Sequence, residues 1–234
     1  MKFAAGPPEG PSLAELAAGR STADLVASRT DEAQRLMDAG MAVMVRHGTD
    51  SRATVAEIVR EAGLSNQAFY RHFAGKDDLV AAIIDAGARR LVSYAGHRME
   101  LFDEPLDQVR AWVRAVLSQG TDPKVAAPTR ALTWSRNALA ADHETSARQA
   151  ESLVWALLEV PLGSLGRPHP RQDAYLIGRL VFGVLTEVLW SDEPTTNDEL
   201  EFVIDFCIGA VTAPAVRVDG EGAGRGTGKR RSAR

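Results

Sequence analysis

Apolar residues recur at helical spacing through most of the chain, and between its two ends every segment reads as helix. Val55, Ile58, Val59 and Ala62 form one stripe of a short helix, and Phe69 and Phe73 share one face of the next. A long helix is predicted over 76–100, with Leu79, Val80, Ile83, Ile84 and Leu91 inward. Pro105 suits the first position of a helix running to Ser118. Asp122-Pro123 starts another, which Pro128 interrupts before it continues to about Ala140. A helix over about 143–165 is kinked or ended by Pro161. Gly163, Gly166, Pro168 and Pro170 make a firm break, and the last helices are expected at 171–190 and 196–211. The fold class is all-α.

The boundaries between 54 and 76 are the most specific. Thr54 and Glu57 have capping-box spacing, Gly63 suits a left-handed helix end, and Ser65 can cap the second short helix. Two short helices around a glycine turn are how a helix-turn-helix presents a recognition helix to DNA. On that second helix Asn66 and Gln67 carry amides that can pair with adenine, and Arg71 a guanidinium that can pair with guanine. Tyr70 and His72 have polar tips suited to phosphate oxygens, and Lys76 can bind phosphate as a point charge. The plain alternative is that these polar groups are only the solvated face of a short helix.

From about Arg29 to Val80 the chain resembles the DNA-binding domain of the TetR family of transcriptional regulators. The family's first helix is matched over 35–48, its capped second helix over 54–62, and its glycine-turn and aromatic pattern by Gly63 to Phe73. Phe69-Tyr70-Arg71-His72-Phe73 followed by Gly75-Lys76-Asp77 is the specific part. Gln67 stands where the family usually has a small residue, Met44 replaces a usual Phe, and the loop after Gly48 is one residue longer than typical. The resemblance implies a three-helix DNA-binding domain on an all-helical regulatory domain, working as a homodimer on double-stranded operator DNA. Phosphate contacts carry over to Thr54, Tyr70, His72 and Lys76, with Ser65 at the helix start, and base reading to Asn66, Gln67 and Ala68. The family mostly represses transcription and releases DNA when a small molecule binds the C-terminal domain. The expected organisation is an extension over 1–27, a DNA-binding domain over 28–75, a regulatory and dimerisation domain over 76–216, and a basic tail over 217–234.

Charge distribution agrees with that division. The net charge is -4, but residues 28–76 carry seven basic and six acidic groups, 77–216 twelve and twenty, and 217–234 six and two. The acidic middle should avoid DNA, while the motif and the Gly-rich tail with Lys229-Arg230-Arg231 can approach it. The N-terminal 1–11 is rich in Gly and Pro, and 12–28 has a helical pattern that either packs on the domain or acts as an arm. One cysteine excludes an intramolecular disulfide, apolar runs are broken by polar residues, and no signal peptide is seen, so a cytoplasmic protein without membrane spans is expected.

Helices 171–190 and 196–211 are apolar beyond one stripe, which suggests two buried faces each: one on the core, one on a second copy. Gly178 and Gly183 are candidates for close approach there, and a fully internal pair is the alternative. Trp112, Trp134 and Trp155 fall on three successive helices and can line a largely apolar effector pocket, with Tyr175 beside them and Arg130 and Arg136 to receive an anionic group. Ordinary core tryptophans and solvated arginines are the alternative. No cofactor, metal or catalytic constellation is expected: Cys207 lies in an apolar run, and His97, His143 and His169 lack zinc-ligand spacing. A helical ligand-binding or catalytic protein that keeps the fold without specific DNA binding is the competing reading, and an architectural DNA binder a third.

Overall fold

A stretch without proline between residues 12 and 48 lets the first helix run uninterrupted, and in the computed structural model it spans α1, Leu13–His47. The segments expected separately at 12–28 and 35–48 are one element because nothing between them stops it. Thr30, of a residue type able to cap a new helix, instead turns its hydroxyl back onto the Val26 carbonyl at 3.0 Å. The structure describes residues 13–48, 53–137, 139, 141–191, 193 and 195–213, with side chains in the first helix from 26 onward. The Gly/Pro-rich start, the loop after Gly48, the side chain of His143 and the basic tail fall outside these descriptions.

Helix α2 is Val55–Ala62 and α3 is Asn66–His72. The capping box of α2 is formed, and Gly63 at φ 63° donates its N–H to the carbonyls of Arg60 and Val59. Helix α4, Lys76–Met99, leads into α5, Pro105–Thr121, which starts on its proline. Helix α6, Pro123–Asn137, passes through Pro128 rather than breaking there. The Thr129 hydroxyl bonds the Val125 carbonyl at 2.7 Å, one residue on from the Lys124 carbonyl that loses its partner at Pro128.

Pro161 acts four residues upstream of itself. Helix α7 is Ala141–Ala156 and α8 is Glu159–Ser164, so the break falls at 157–158, where the proline ring would meet the carbonyl of residue 157. Helices α9, Pro170–Trp190, and α10, Asn197–Thr212, complete the ten among the described residues, which include no strand. Arg167 ties their far ends together: it pairs with Asp173 at 2.7 Å and donates to the Ala213 carbonyl at 2.9 Å.

Two apolar cores result. The larger surrounds Trp112, Leu158, Leu162, Val181 and Cys207. The smaller joins Leu36 and Val43 of α1, Ile58 of α2 and Phe69 of α3. It continues past residue 75 into Leu79, Val80 and Ile83 of α4, and takes in Ala131 of α6. Gly40 is the crossing point of α1 on α4, since a Cβ there would sit 2.9 Å from Leu79 Cδ2.

Candidate DNA-reading surface and effector cavity

Helix α3 is only seven residues long, and isolated it would not hold. Its inner side secures it: Phe69 is fully buried, and Phe73 packs against it with ring centroids 5.8 Å apart. Ser65 caps its start by accepting the N–H of Ala68 at 3.1 Å. The opposite side presents Asn66, Gln67, Tyr70 and Arg71 to solvent, with Tyr70 61% exposed.

Two sequence-named positions lie elsewhere than expected. Ala68 is only 4% exposed, because one residue before Phe69 the helix has already turned inward; its methyl is not on the surface shared by Asn66 and Gln67. His72 has an 11% exposed side chain, and its Nε2 lies 2.9 Å from Glu32 Oε2 on α1. Arg71 donates to the same oxygen at 2.8 Å while remaining half exposed. The His72 hydrogen bond, with the Arg71 charge adding, holds the Glu32 carboxyl below its ordinary range.

The flanking phosphate candidates are at the surface. Thr54 is exposed; its hydroxyl donates to Glu57 Oε2 at 2.9 Å and accepts the Glu57 N–H at 3.3 Å. The Thr54 backbone bond, then the Thr54 hydroxyl and His47, hold Glu57 below the usual glutamate value. Lys76 begins α4, half buried, beside the turn that follows α3. Arg35 of α1 donates to the Ala62 carbonyl at 2.7 Å and fastens α1 to the helix-turn-helix corner.

A cavity of about 820 Å³ lies between α1, α4, α5, α6, α7 and α9. Met37 and Met41 of α1, Ile84 and Leu91 of α4, Leu132 of α6 and Phe182 of α9 supply much of its apolar wall. Arg136 and Glu151 form an ion pair within that wall. Of the six residues proposed from sequence for the ligand, Trp155 and Arg136 line the cavity. Trp112 stands behind the wall, fully buried, its indole N–H donating to the Val154 carbonyl at 2.9 Å. Tyr175 is half exposed and meets Trp155 edge-on from the far side, at 5.8 Å. Trp134 packs on Trp190 at 5.6 Å, and Arg130 is exposed; the cavity face of α6 is carried instead by Thr129, Leu132, Thr133 and Arg136. The three tryptophans share a domain but not a helical phase.

Gly178 also differs from expectation. It is buried against Trp155 of its own subunit, where a Cβ would fall 2.7 Å from the indole Cε3, so it serves internal packing and not a partner's approach. Gly183 has open space at its Cβ position and lines the cavity.

Glu32, Arg35, Met37 and Met41 join the site without having been expected there from sequence. A signal for the methionines was present: they lie four apart on α1, on a different stripe from Leu36 and Val43, and two apolar stripes mean two neighbours. The role of Glu32 has no local signature, since its partners are about forty residues away.

Residues 36–83 match the family model of bacterial regulatory proteins, tetR family. Similar folds among solved structures include a transcriptional regulator from Rhodococcus, at 23% identity and TM-score 0.60, covering 76% of this chain and 95% of that one. A TetR-family transcriptional regulator from Streptomyces coelicolor aligns at 19% identity and TM-score 0.58, over 78% and 93% of the two chains. The fatty acid degradation regulator FadR from Bacillus halodurans aligns at 17% and 0.60, over 75% and 97%. A comparison with curated protein sequences gives no match. Residues 36–83 thus carry the tetR-family DNA-binding segment, and the chain shares the fold of these solved regulators.

Proposed function

We propose that the chain is a ligand-responsive repressor that binds a palindromic operator as a homodimer and has no catalytic role. The observation that carries this reading is α3: an apolar side locked into a core and an exposed side displaying Asn66, Gln67 and Tyr70, with Arg71 at its edge paired to Glu32. Each subunit lays that side in a major groove, with half-sites about 34–36 Å apart or a multiple of it. Gln67 and Asn66 read bases; Thr54, Tyr70 and Lys76 hold phosphates.

Dimerisation through α9 and α10 is supported by an apolar face that the single subunit leaves uncovered. Leu176 is 63% exposed and Phe202 72%, with Leu180 and Phe206 exposed beside them. Large apolar side chains grouped on adjacent helices mark a protein-binding surface. The effector is a largely apolar small molecule held in the 820 Å³ cavity, a volume in the range of drug-sized ligand sites. No described helix is long and apolar enough to cross a membrane, and we place the protein in the cytoplasm with its DNA. We divide the chain functionally into a DNA-binding part over 28–75 and a regulatory part over 76–216.

Mobility shifts on duplexes selected from a random pool, with excess competitor and several salt concentrations, test the reading. Gln67→Ala should change base discrimination by about 1–3 kcal/mol. Lys76→Ala should weaken binding to all sequences alike and lower the salt slope by about one. Equal loss across sequences for both variants would remove Gln67 as a reader. Failure to select any sequence over competitor would leave the fold as a ligand-binding or structural protein.

A further inference from the structure

The cavity and the DNA-reading helix share a wall. Met37 and Met41 line the cavity from α1, and Gln34 and Asp38 do so one turn along the same helix. Glu32, two residues before Gln34, holds Arg71 at 2.8 Å and His72 at 2.9 Å. Among the described residues, every side-chain hydrogen bond from α3 to another helix ends on this one carboxylate. Arg35, in the same turn, holds the carbonyl of Ala62 where α2 ends.

Helix α4 also borders both regions, through Ile83, and follows α3 through the turn at 73–75, where Asp78 accepts the Ala74 N–H at 3.0 Å; its other links to the reading head are apolar. The links from α1 are directional and charge-assisted, and they have one geometry. A helix transmits displacement along its length, and Glu32 lies about 14 Å from Met41 at 1.5 Å rise per residue.

We propose that α1 is the element through which cavity occupancy reaches the recognition helix, and that Glu32 is the positioning residue that carries the movement to Arg71 and His72. This rests on the ligand-responsive reading above. A molecule that fills the cavity presses on Met37 and Met41 and shifts or rotates α1. Glu32 moves with it, and either drags the end of α3 or releases it. Arg71, half exposed, is then held away from the groove in one state and presented to it in the other.

A covalent occupant replaces the unidentified effector in the test. Thr133 faces the cavity from α6, and its hydroxyl bonds only within its own helix, so Thr133→Cys exchanges that hydroxyl for a thiol and removes one methyl without breaking a hydrogen bond between helices. The full-length variant is labelled with monobromobimane and stoichiometry is checked by mass; wild type treated identically controls for Cys207, which is buried. DNA affinity for the selected duplex is compared before and after labelling in Thr133→Cys alone, with Glu32→Gln, and with Glu32→Asp. Labelling should weaken binding roughly tenfold, within the 5–150-fold range of allosteric couplings. With Glu32→Gln the loss should shrink to under about threefold, and Glu32→Asp, which keeps the charge, should restore most of it. An equal fold-loss in all three backgrounds overturns the proposal.

Amide exchange in labelled Thr133→Cys gives a second reading that needs neither DNA nor a Glu32 variant. The exchange rates of residues 66–73 should change after labelling, rising if α3 is released and falling if it is held more tightly. Unchanged exchange there also overturns the proposal. If no duplex can be selected, DNA binding itself has failed, and the exchange result still decides whether α1 couples the two sites.

Discussion

Replacing Gly178 by alanine tests the packing of α9 on α7 with its own internal control. A Cβ at 178 would sit 2.7 Å from Cε3, 2.8 Å from Cβ and 3.0 Å from Cδ2 of Trp155. One of those atoms, Cβ, is bonded to the backbone of α7 and cannot swing away as a side-chain tip would. Trp155 is itself held edge-on by Tyr175 at 5.8 Å and by Phe182 at 6.1 Å. Overpacking of this kind costs roughly 1–3 kcal/mol. Against it stands the gain of replacing a helical glycine with alanine, about 0.8–1 kcal/mol. Gly96→Ala in α4 receives a similar gain with nothing within 4 Å of its new methyl. The difference between the two variants therefore isolates the overpacking term. At roughly 2–4 °C per kcal/mol for a chain of this size, Gly178→Ala should melt several degrees below Gly96→Ala, measured by calorimetry at one protein concentration. Gly96→Ala should equal or exceed wild type. Because Trp155 borders the cavity, its displacement should also shift the tryptophan emission of Gly178→Ala. Equal melting temperatures for the two variants would refute the close contact.

The α2 cap should be visible in both stability and pH. Thr54→Ala removes the hydroxyl that accepts the Glu57 N–H and should cost about 1 kcal/mol, seen in the urea midpoint. Glu57 has a folded pKa held below about 4.5, so ionised Glu57 contributes stability above that value, and the contribution is lost as pH falls through its lower folded pKa. The melting-temperature gap between wild type and Glu57→Ala should be constant above pH 5 and close below 4.5; a gap that widens on acidification would contradict the cap. Burial pushes the Cys207 thiol up to about 11, so native protein at pH 8 should react with a thiol reagent only on the timescale of unfolding. Stoichiometric reaction within minutes would show that the α5–α10 contact opens readily.

Local chemistry made the reading head legible. Thr54, Glu57, Gly63 and Ser65 specify helix ends through bonds spanning three or four residues, and Phe69 and Phe73 declare an inner face by their spacing alone. The family resemblance alone places Ala68 on the reading surface, and its helical phase next to Phe69 turns it inward. The cavity was less legible, for a reason visible in Trp112 and Trp134. Composition can say that a domain holds large aromatics, but which side of a helix faces a void depends on how six helices are rotated against each other. Pro128 and Pro161 mark the limit of the breaker rule: one is accommodated where a neighbouring hydroxyl serves the backbone, and the other breaks its helix one turn earlier than its own position.

Ala131 of α6 sits in the apolar core of the DNA-binding part, alongside Leu36, Val43 and Phe69 and almost fifty residues beyond the last position of the matched family segment. A fragment cut at residue 75 would forfeit Leu79, Val80 and Ile83 as well, and one cut at 83 would still expose the place where α6 belongs. Grafting this reading head onto another regulator therefore means exchanging the facing surface of α6 along with it. The head is not an interchangeable module, and its recombination with foreign effector domains is constrained by that single helix.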